Sequence, residues 1–336
     1  MLLAGDVGGT KTLLGLFERG TAGDRPRAVL IREFATLDFD SFEEIVDEFL
    51  GVGDGAAPAP LDAMCVGVAG PVNGLVARLT NVPWIVNLGR MGPRVGRARL
   101  KLLNDLEAMA HGVPLLEPDE IAVLQAGVAV PRGNAALIAA GTGLGQALLH
   151  NVNGRFVPSP SEGGHADFAP RNSRELALAG FLMRERGRTE VESFVSGPGL
   201  VNVYRFVHDL GDDIGCDGVR DGSDDDDAPP QITEAALDRT CAQCVDTLDF
   251  FVELYGSEAG NLALRSVATA GVYIGGGIAP KILPALESGR FIDAFRDKPP
   301  MTDLLATIPI RVILNEQAGL VGASVHAQAL ASAAHG

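Results

Sequence analysis

Basic charge is scarce in this chain: 27 Lys and Arg stand against 43 Asp and Glu, a formal net charge of −16. A surface with that balance repels nucleic acid and anionic membranes, so neither is expected as a partner. Small phosphorylated ligands stay open, because amide nests and a metal bind them locally against the overall field. Cysteine is scarce too, and Cys65, Cys216, Cys241 and Cys244 are expected as reduced thiols. Cys241-x-x-Cys244 has no second C-x-x-C and no close His pair to complete a tetrahedral metal site, so it reads as helix packing. A signal peptide is not expected, since "MLLAGDVGG" has no basic n-region and reaches Asp6 before an apolar run develops. Long apolar runs are also missing. The longest charge-free stretch, 133–154, is broken by five glycines and reads as a buried hairpin, not a membrane span. A cytoplasmic protein is expected.

What is present is material for a large core. With 336 residues, 46% of them hydrophobic, two domains or lobes are expected. Near the start, "GDVGGTKT" (Gly5 to Thr12) fits the phosphate-loop pattern G-x-x-x-x-G-K-[ST] except at Thr10. A P-loop feeds straight into a helix. Here the continuation "LLGLFERGTAGD" is a short apolar run that soon meets a turn, and "MLLAG" before the motif is strand-like. The segment therefore reads as strand, Gly-rich turn, strand, offering backbone N–H groups to an anion. Lys11 then begins the outgoing strand.

Strands and helices alternate along the chain. "SFEEIVDEFLG" reads as a helix with Ser41 as N-cap, Glu44 at the capping-box position and Gly51 as the stop. "AMCVGVAGPV" and "RLKLLND" read as strands, and "LEAMAHGV" begins the next helix. From about Ala135, "AALIAAGTGLGQALLH" repeats the apolar run, Gly-rich turn and apolar run of the first hairpin. The echo suggests a duplicated α/β architecture. "ITEAALDRTCAQCVDTLDFFVELYG" reads as one helical pattern, and "GVYIGGGIAP" as a strand ending in a glycine turn. The run 221–230, "DGSDDDDAPP", reads as a solvated acidic loop, without the alternating ligands and closing Glu of a calcium site.

Several stretches carry chemistry. Gly8, Gly9 and Thr10 allow amides and a hydroxyl to approach phosphate oxygens, and Gly141, Thr142 and Gly143 repeat the combination. Either turn alone reads first as an ordinary hairpin turn; together they favour phosphate. Asp6, at the head of the first turn, could hold a Mg²⁺-bound water. "LLND" puts Asp105 where a strand ends and a helix begins, which on its own reads first as a helix N-cap, with a general base beside a cleft as the alternative. "SEGGHADF" carries Glu162 and His165, partners for vicinal hydroxyls or incidental polar residues of a surface turn. Glu192 precedes Ser196-Gly197-Pro198-Gly199, a helix start.

In this order and spacing, "GDVGGT", "LLND", "GTGLG", "EGGHADF", "SGPGLVN" and "GGGIAP" resemble the bacterial glucokinase family, in the branch typified by the enterobacterial enzyme. The likeness runs from about Gly5 to Gly322. The related ROK sugar kinases share a "GGTK" hairpin, but their cysteine-rich zinc motif is missing here. The sequence departs from the near branch at Lys11-Thr12, where Asn-Ala is common, and in the acidic loop.

The resemblance implies an α/β, two-domain, actin-like ATPase (ribonuclease H-like) fold. A small domain (1–110 plus 317–336) and a large one (111–316) would flank a cleft whose closure excludes water. It places Asp105 on the catalytic base, and Asn104, Glu162, His165 and Glu192 on the glucose ligands. Gly8 to Thr10 and Gly141 to Gly143 fall on the phosphate loops, and Gly275, Gly276 and Gly277 on the adenosine side. The implied reaction moves the γ-phosphoryl group of ATP to the 6-hydroxyl of glucose, giving glucose 6-phosphate and ADP, the first step of glycolysis. Mg²⁺ and a homodimeric state are expected with it. Close rivals are a mannose or amino-sugar kinase and a kinase using ADP or polyphosphate. A sugar-responsive repressor fits poorly, since Asp6 leaves no room for a DNA-binding domain before it and the charge opposes DNA. An actin-like filament protein would have no use for "EGGH" beside "LLND".

Overall fold

The structure is a computed structural model that describes residues 1–21, 23–51, 60–79, 82–209 and 228–333. Cys216 and acidic positions 221–227 lie outside the described residues. The chain divides into two compact units, Met1–Glu117 with Asn315–Gly336, and Pro118–Leu314.

The first unit contains β1 (Leu2–Val7), β2 (Lys11–Glu18), β3 (Arg27–Ala35), β4 (Ala63–Val68), β5 (Val72–Asn73), β6 (Val76–Arg78), β7 (Ile85–Asn87) and β8 (Arg99–Asn104). Its helices are α1 (Phe42–Leu50), α2 (Gly92–Val95) and α3 (Asp105–Gly112). The main sheet has the order β3-β2-β1-β4-β8, and β5-β6-β7 form a small sheet. β1, β2 and β3 pair antiparallel, whereas β4 and β8 add in parallel. Side chains of β1 alternate between faces, as a strand buried on both sides requires. Leu3 and Val7 pack with Phe42, Ile45 and Val46 of α1. Leu2 and Ala4 pack on the other side with Leu320, Ala323 and Ala327. α1 starts and stops where its sequence signals place it. Ser41 Oγ accepts from Glu44 N–H at 3.3 Å, the Glu44 side chain reaches Asp40 N–H, and Gly51 adopts φ 65°.

The second unit contains β9 (Ile121–Gln125), β10 (Ala135–Ala140), β11 (Leu144–Val152), β12 (Arg155–Ser161), β13 (Gly271–Gly275) and β14 (Ile310–Ile313). Its order is β12-β11-β10-β13-β14-β9. The first five strands repeat the plan of the first unit: an antiparallel meander extended by two parallel strands. The two Gly-rich hairpins thus mark a real duplication, and the topology is that of the actin-like ATPase fold. Stretch 133–154 is mostly the β10–β11 hairpin, and among the described residues no helix is long and apolar enough to cross a membrane.

Helices α4 (Ser173–Arg186), α5 (Gly197–Asp209), α6 (Ala228–Leu237), α7 (Ala242–Ser266), α8 (Leu283–Leu286), α9 (Arg290–Arg296) and α10 (Thr302–Thr307) belong to this unit. The pattern read as one helix is two, α6 and α7. Arg239 turns left-handed at φ 56°, and Cys241 caps α7, its Sγ accepting Cys244 N–H at 3.4 Å. Both cysteines are buried. The core of the unit gathers on α7 through Phe250, Phe251 and Tyr255, with Phe194, Phe291 and Phe295.

The chain ends in the first unit with α11 (Ala318–Ser332). It crosses α3 at glycines: a Cβ at Gly322 would strike the Ala108 carbonyl, and one at Gly112 would come within 3.0 Å of Ala318 O. At the same crossing His326 Nδ1 lies 3.0 Å from His111 Nε2. Burial lowers both rings from 6.5 to about 4, with Lys101 adding to it, and His326 further lowers His111. Depressed pKa values mean that the unfolded chain binds more protons. The pair's stabilisation is therefore complete above pH 6.5 and is lost as pH falls toward about 4. Asp6 has the opposite sign, its raised pKa costing stability as pH rises toward about 7, so a variant isolates the pair. The double variant His111→Gln/His326→Gln should flatten the acid limb of urea-unfolding stability by on the order of 2 kcal/mol. An unchanged limb would show that the rings remain charged in the fold.

Candidate active site

In the first unit the parallel register aligns three strand ends: Val7 lies beside Val68, and Val68 beside Asn104. The carboxyl ends of parallel strands are where such sheets place ligands. Asp6 is half-buried there, and a Cβ at Gly319 of α11 would lie 2.5 Å from its Oδ2. Burial first, then Asp105, raise the Asp6 pKa from 3.8 to about 7, with Lys11 opposing. The Gly8–Thr10 turn closes through Gly8 N–H to Lys11 O, 2.9 Å. Thr36 braces it, its Oγ1 donating to Gly8 O at 3.0 Å and its N–H to Thr10 O at 2.9 Å. Gly9 is half-buried and Thr10 is exposed. β2 follows the turn directly, which excludes a P-loop. The Lys11 ammonium lies on that strand between Glu33 (3.5 Å) and Glu316 (3.7 Å).

"LLND" resolves into two roles. Asn104 is the N-cap of α3, its Oδ1 accepting from Leu106 N–H at 3.0 Å. Asp105 is the first helical residue, with Oδ1 2.9 Å from the same N–H. Asn104 is the cap residue, and Asp105 shares the same amide from the first helical position.

In the second unit the Gly141–Gly143 turn is clasped from several sides. Gly141 O accepts from Gly197 N–H at the start of α5 (2.8 Å), and Gly141 N–H donates to Gly143 O (2.9 Å). Thr142 is exposed at the tip. Gly276 adopts φ 83°, and a Cβ there would strike the Ala140 carbonyl. Gly275 ends β13, while a Cβ on Gly277 would meet nothing within 4 Å. Beneath both turns the buried Tyr255 hydroxyl accepts from Ala140 N–H at 3.2 Å. Gly197 N–H is taken by Gly141 O, Pro198 has none and Gly199 N–H donates to Ser196 Oγ at 2.9 Å, so an anion here would meet the amides at the turn tip, Thr142 and Gly143, and not the start of α5.

Glu192 joins this turn to the imidazole cluster. Its Oε2 accepts from Leu144 N–H at 2.7 Å. His165 is exposed, and its Nδ1 lies 3.2 Å from Glu190 Oε1. Donor atoms of His165, Glu190 and Glu192 all fall within 4.8 Å of one another. A cation could bridge that span, but the Glu190 bond already engages Nδ1, and hydroxyls need no further ligands. The hydrogen bond that His165 donates to Glu190 raises the His165 pKa, against partial burial, with Glu192 and Glu162 adding to it. Glu162 is exposed on the same loop. The structure thus gathers Glu162, His165 and Glu192. The motifs missed Glu190, Thr36 and Tyr255; the paired acids of "TEVES" were the available signal for the first.

The family model for glucokinase matches residues 3–330. A glucokinase of Nostoc sp. (strain PCC 7120) is 37% identical over 343 residues, spanning 98% of this chain and 99% of its own. One from Yersinia enterocolitica is 35% identical over 327 residues, spanning 96% and 95%. Among solved structures, a glucokinase from an Antarctic psychrotroph superposes with a TM-score of 0.83 at 28% identity over 98% of each chain. With the duplicated sheets and both glycine turns in place along nearly the whole matched length, the chain belongs to the glucokinase family.

Proposed function

We propose that the protein transfers the γ-phosphoryl group of ATP to the 6-hydroxyl of glucose, giving glucose 6-phosphate and ADP. The observation that carries this is Glu192, whose carboxylate lies in the His165–Glu190–Glu192 cluster and also accepts from Leu144 N–H, the amide that follows the Gly141–Gly143 turn. A sugar kinase needs those two sites adjoining.

A sugar hydroxyl is a weak nucleophile, and Asp105 accepts its proton as the oxygen–phosphorus bond forms. Asn104 and Glu162 take further hydroxyls, while His165 and Glu192 hold the ring. Gly8 and Gly141 close their turns, so the amides of Gly9, Thr10, Thr142 and Gly143 and the two threonine hydroxyls bind phosphate oxygens, and Gly275–Gly277 lie along the adenosine. Asp6 fits Mg²⁺ held through water: it is a hard oxygen donor whose ionised form is opposed by burial and by Asp105, with Lys11 only partly offsetting them. Mg²⁺ supplies charge neutralisation on the phosphates when bound. We read the protein as a cytoplasmic homodimer serving glycolysis, a reading supported by its family likeness.

Replacing Glu162 or His165 with Ala should raise KM for glucose about tenfold or more, the size of one lost charged hydrogen bond, and spare KM for ATP. Glu192→Ala should raise both, because Leu144 N–H loses its partner. Steady-state kinetics in both substrates decide it. An unchanged glucose KM in the His165 variant would contradict the sugar site.

A further inference from the structure

His165 sits where two stretches of chain run side by side. Asp167 bridges Glu190 antiparallel, Phe168 N–H donates to Thr189 O (3.3 Å), and Val191 N–H donates to Ala166 O (3.0 Å). This backbone pairing lays Glu190 against the ring, with Oε1 3.2 Å from Nδ1. Arg188 braces both sides. Its Nε donates to Asp167 Oδ1 (2.8 Å), Nη1 to Glu190 Oε2 (3.4 Å) and Nη2 to His165 O (2.7 Å).

We infer that Glu190 is a positioning residue for sugar binding: its carboxylate accepts from Nδ1–H of His165 and thereby commits Nε2 to donate to a sugar oxygen. The inference rests on the sugar-site reading above. Carboxylates only accept hydrogen bonds, so Glu162 and Glu192 accept from sugar hydroxyls and leave those oxygens needing a donor. A neutral ring that donates from Nδ1 to Glu190 has only an acceptor left at Nε2. The imidazolium supplies the missing donor instead. The carboxylates of Glu190 and Glu192 lie against the ring and Glu162 adds its negative charge from the same loop, against the Arg188 guanidinium, which Asp167 also engages. That balance favours the charged ring, in agreement with the raised His165 pKa.

The test is steady-state kinetics of Glu190→Gln, Glu190→Ala and His165→Ala across the neutral and mildly alkaline range. Glu190→Gln keeps the shape of the contact and removes its charge. It should raise KM for glucose about tenfold and move the alkaline limb of kcat/KM for glucose down by about one pH unit. Its kcat and KM for ATP should hold, and its thermal melt should match the parent, since the 166–168 and 189–191 pairing is backbone-borne. Glu190→Ala should raise KM further, and His165→Ala should abolish the limb. If Glu190→Gln keeps the parent KM and limb while His165→Ala raises KM, the sugar site stands and Glu190 is only a brace for Arg188. If His165→Ala leaves KM unchanged, the sugar-site reading falls and the inference with it.

Discussion

Asp105→Asn should bind glucose nearly as the parent does and scarcely turn it over. The amide keeps an Oδ1 for the Leu106 N–H that Asp105 meets at 2.9 Å. Asn104 remains the cap of α3, so the helix start survives. What disappears is proton affinity at the moment the hydroxyl attacks, a loss that typically costs ~10² to 10⁴ in rate. The substitution also removes one of the two influences that raise the Asp6 pKa. The melting temperature should therefore be no lower than that of the parent. Glucose binding by calorimetry beside kcat separates the effects. A variant keeping more than about a tenth of kcat would reduce Asp105 to a structural role, since general-base loss is larger than that.

Gly276→Ala should damage both stability and nucleotide use. At φ 83° the residue is in the left-handed region, where an L side chain is strained by roughly 1–2 kcal/mol. Its new Cβ would also strike the Ala140 carbonyl. Backbone cannot swing aside as a side chain can, so the end of β10 must shift, with overpacking adding about 1–3 kcal/mol. That shift is transmitted to Gly141, whose carbonyl seats the start of α5 (Gly197 N–H, 2.8 Å). It also disturbs Ala140 N–H on the Tyr255 hydroxyl. KM for ATP should rise about tenfold, more than KM for glucose, and the melting temperature should fall by several degrees. Parent-like melting with an unchanged ATP KM would show that the Gly276–Ala140 contact does not hold the turn.

Features written in local sequence were legible. Paired glycines between apolar runs gave both hairpins, and the Ser41, Glu44 and Gly51 signals gave α1. "LLND", "EGGH" and the Glu192 segment identified side chains that the fold then brought into two groups. What stayed hidden depends on chain segments distant in sequence. Glu190 reaches His165 only because 189–191 pairs with 166–168. His111 and His326 meet across 215 positions at a crossing made possible by Gly112 and Gly322. Tyr255 lies midway along α7, where nothing local shows that its hydroxyl sits beneath two glycine turns. The break between α6 and α7 was missed for a different reason. Arg239 and Cys241 are weak punctuation, and their left-handed turn and sulfur cap run against residue preference.

The central claim is the transfer of phosphate from ATP to the 6-hydroxyl of glucose. Its most direct measurement is the kcat/KM of the purified enzyme with Mg²⁺, for a panel of hexoses and amino sugars crossed against ATP, ADP and polyphosphate. Phosphorus NMR of the product locates the new ester. The highest kcat/KM should belong to glucose with ATP, with the ester on the 6-oxygen and one ADP released per sugar. A higher kcat/KM for mannose, an amino sugar or another donor, or an ester elsewhere on the ring, would contradict it.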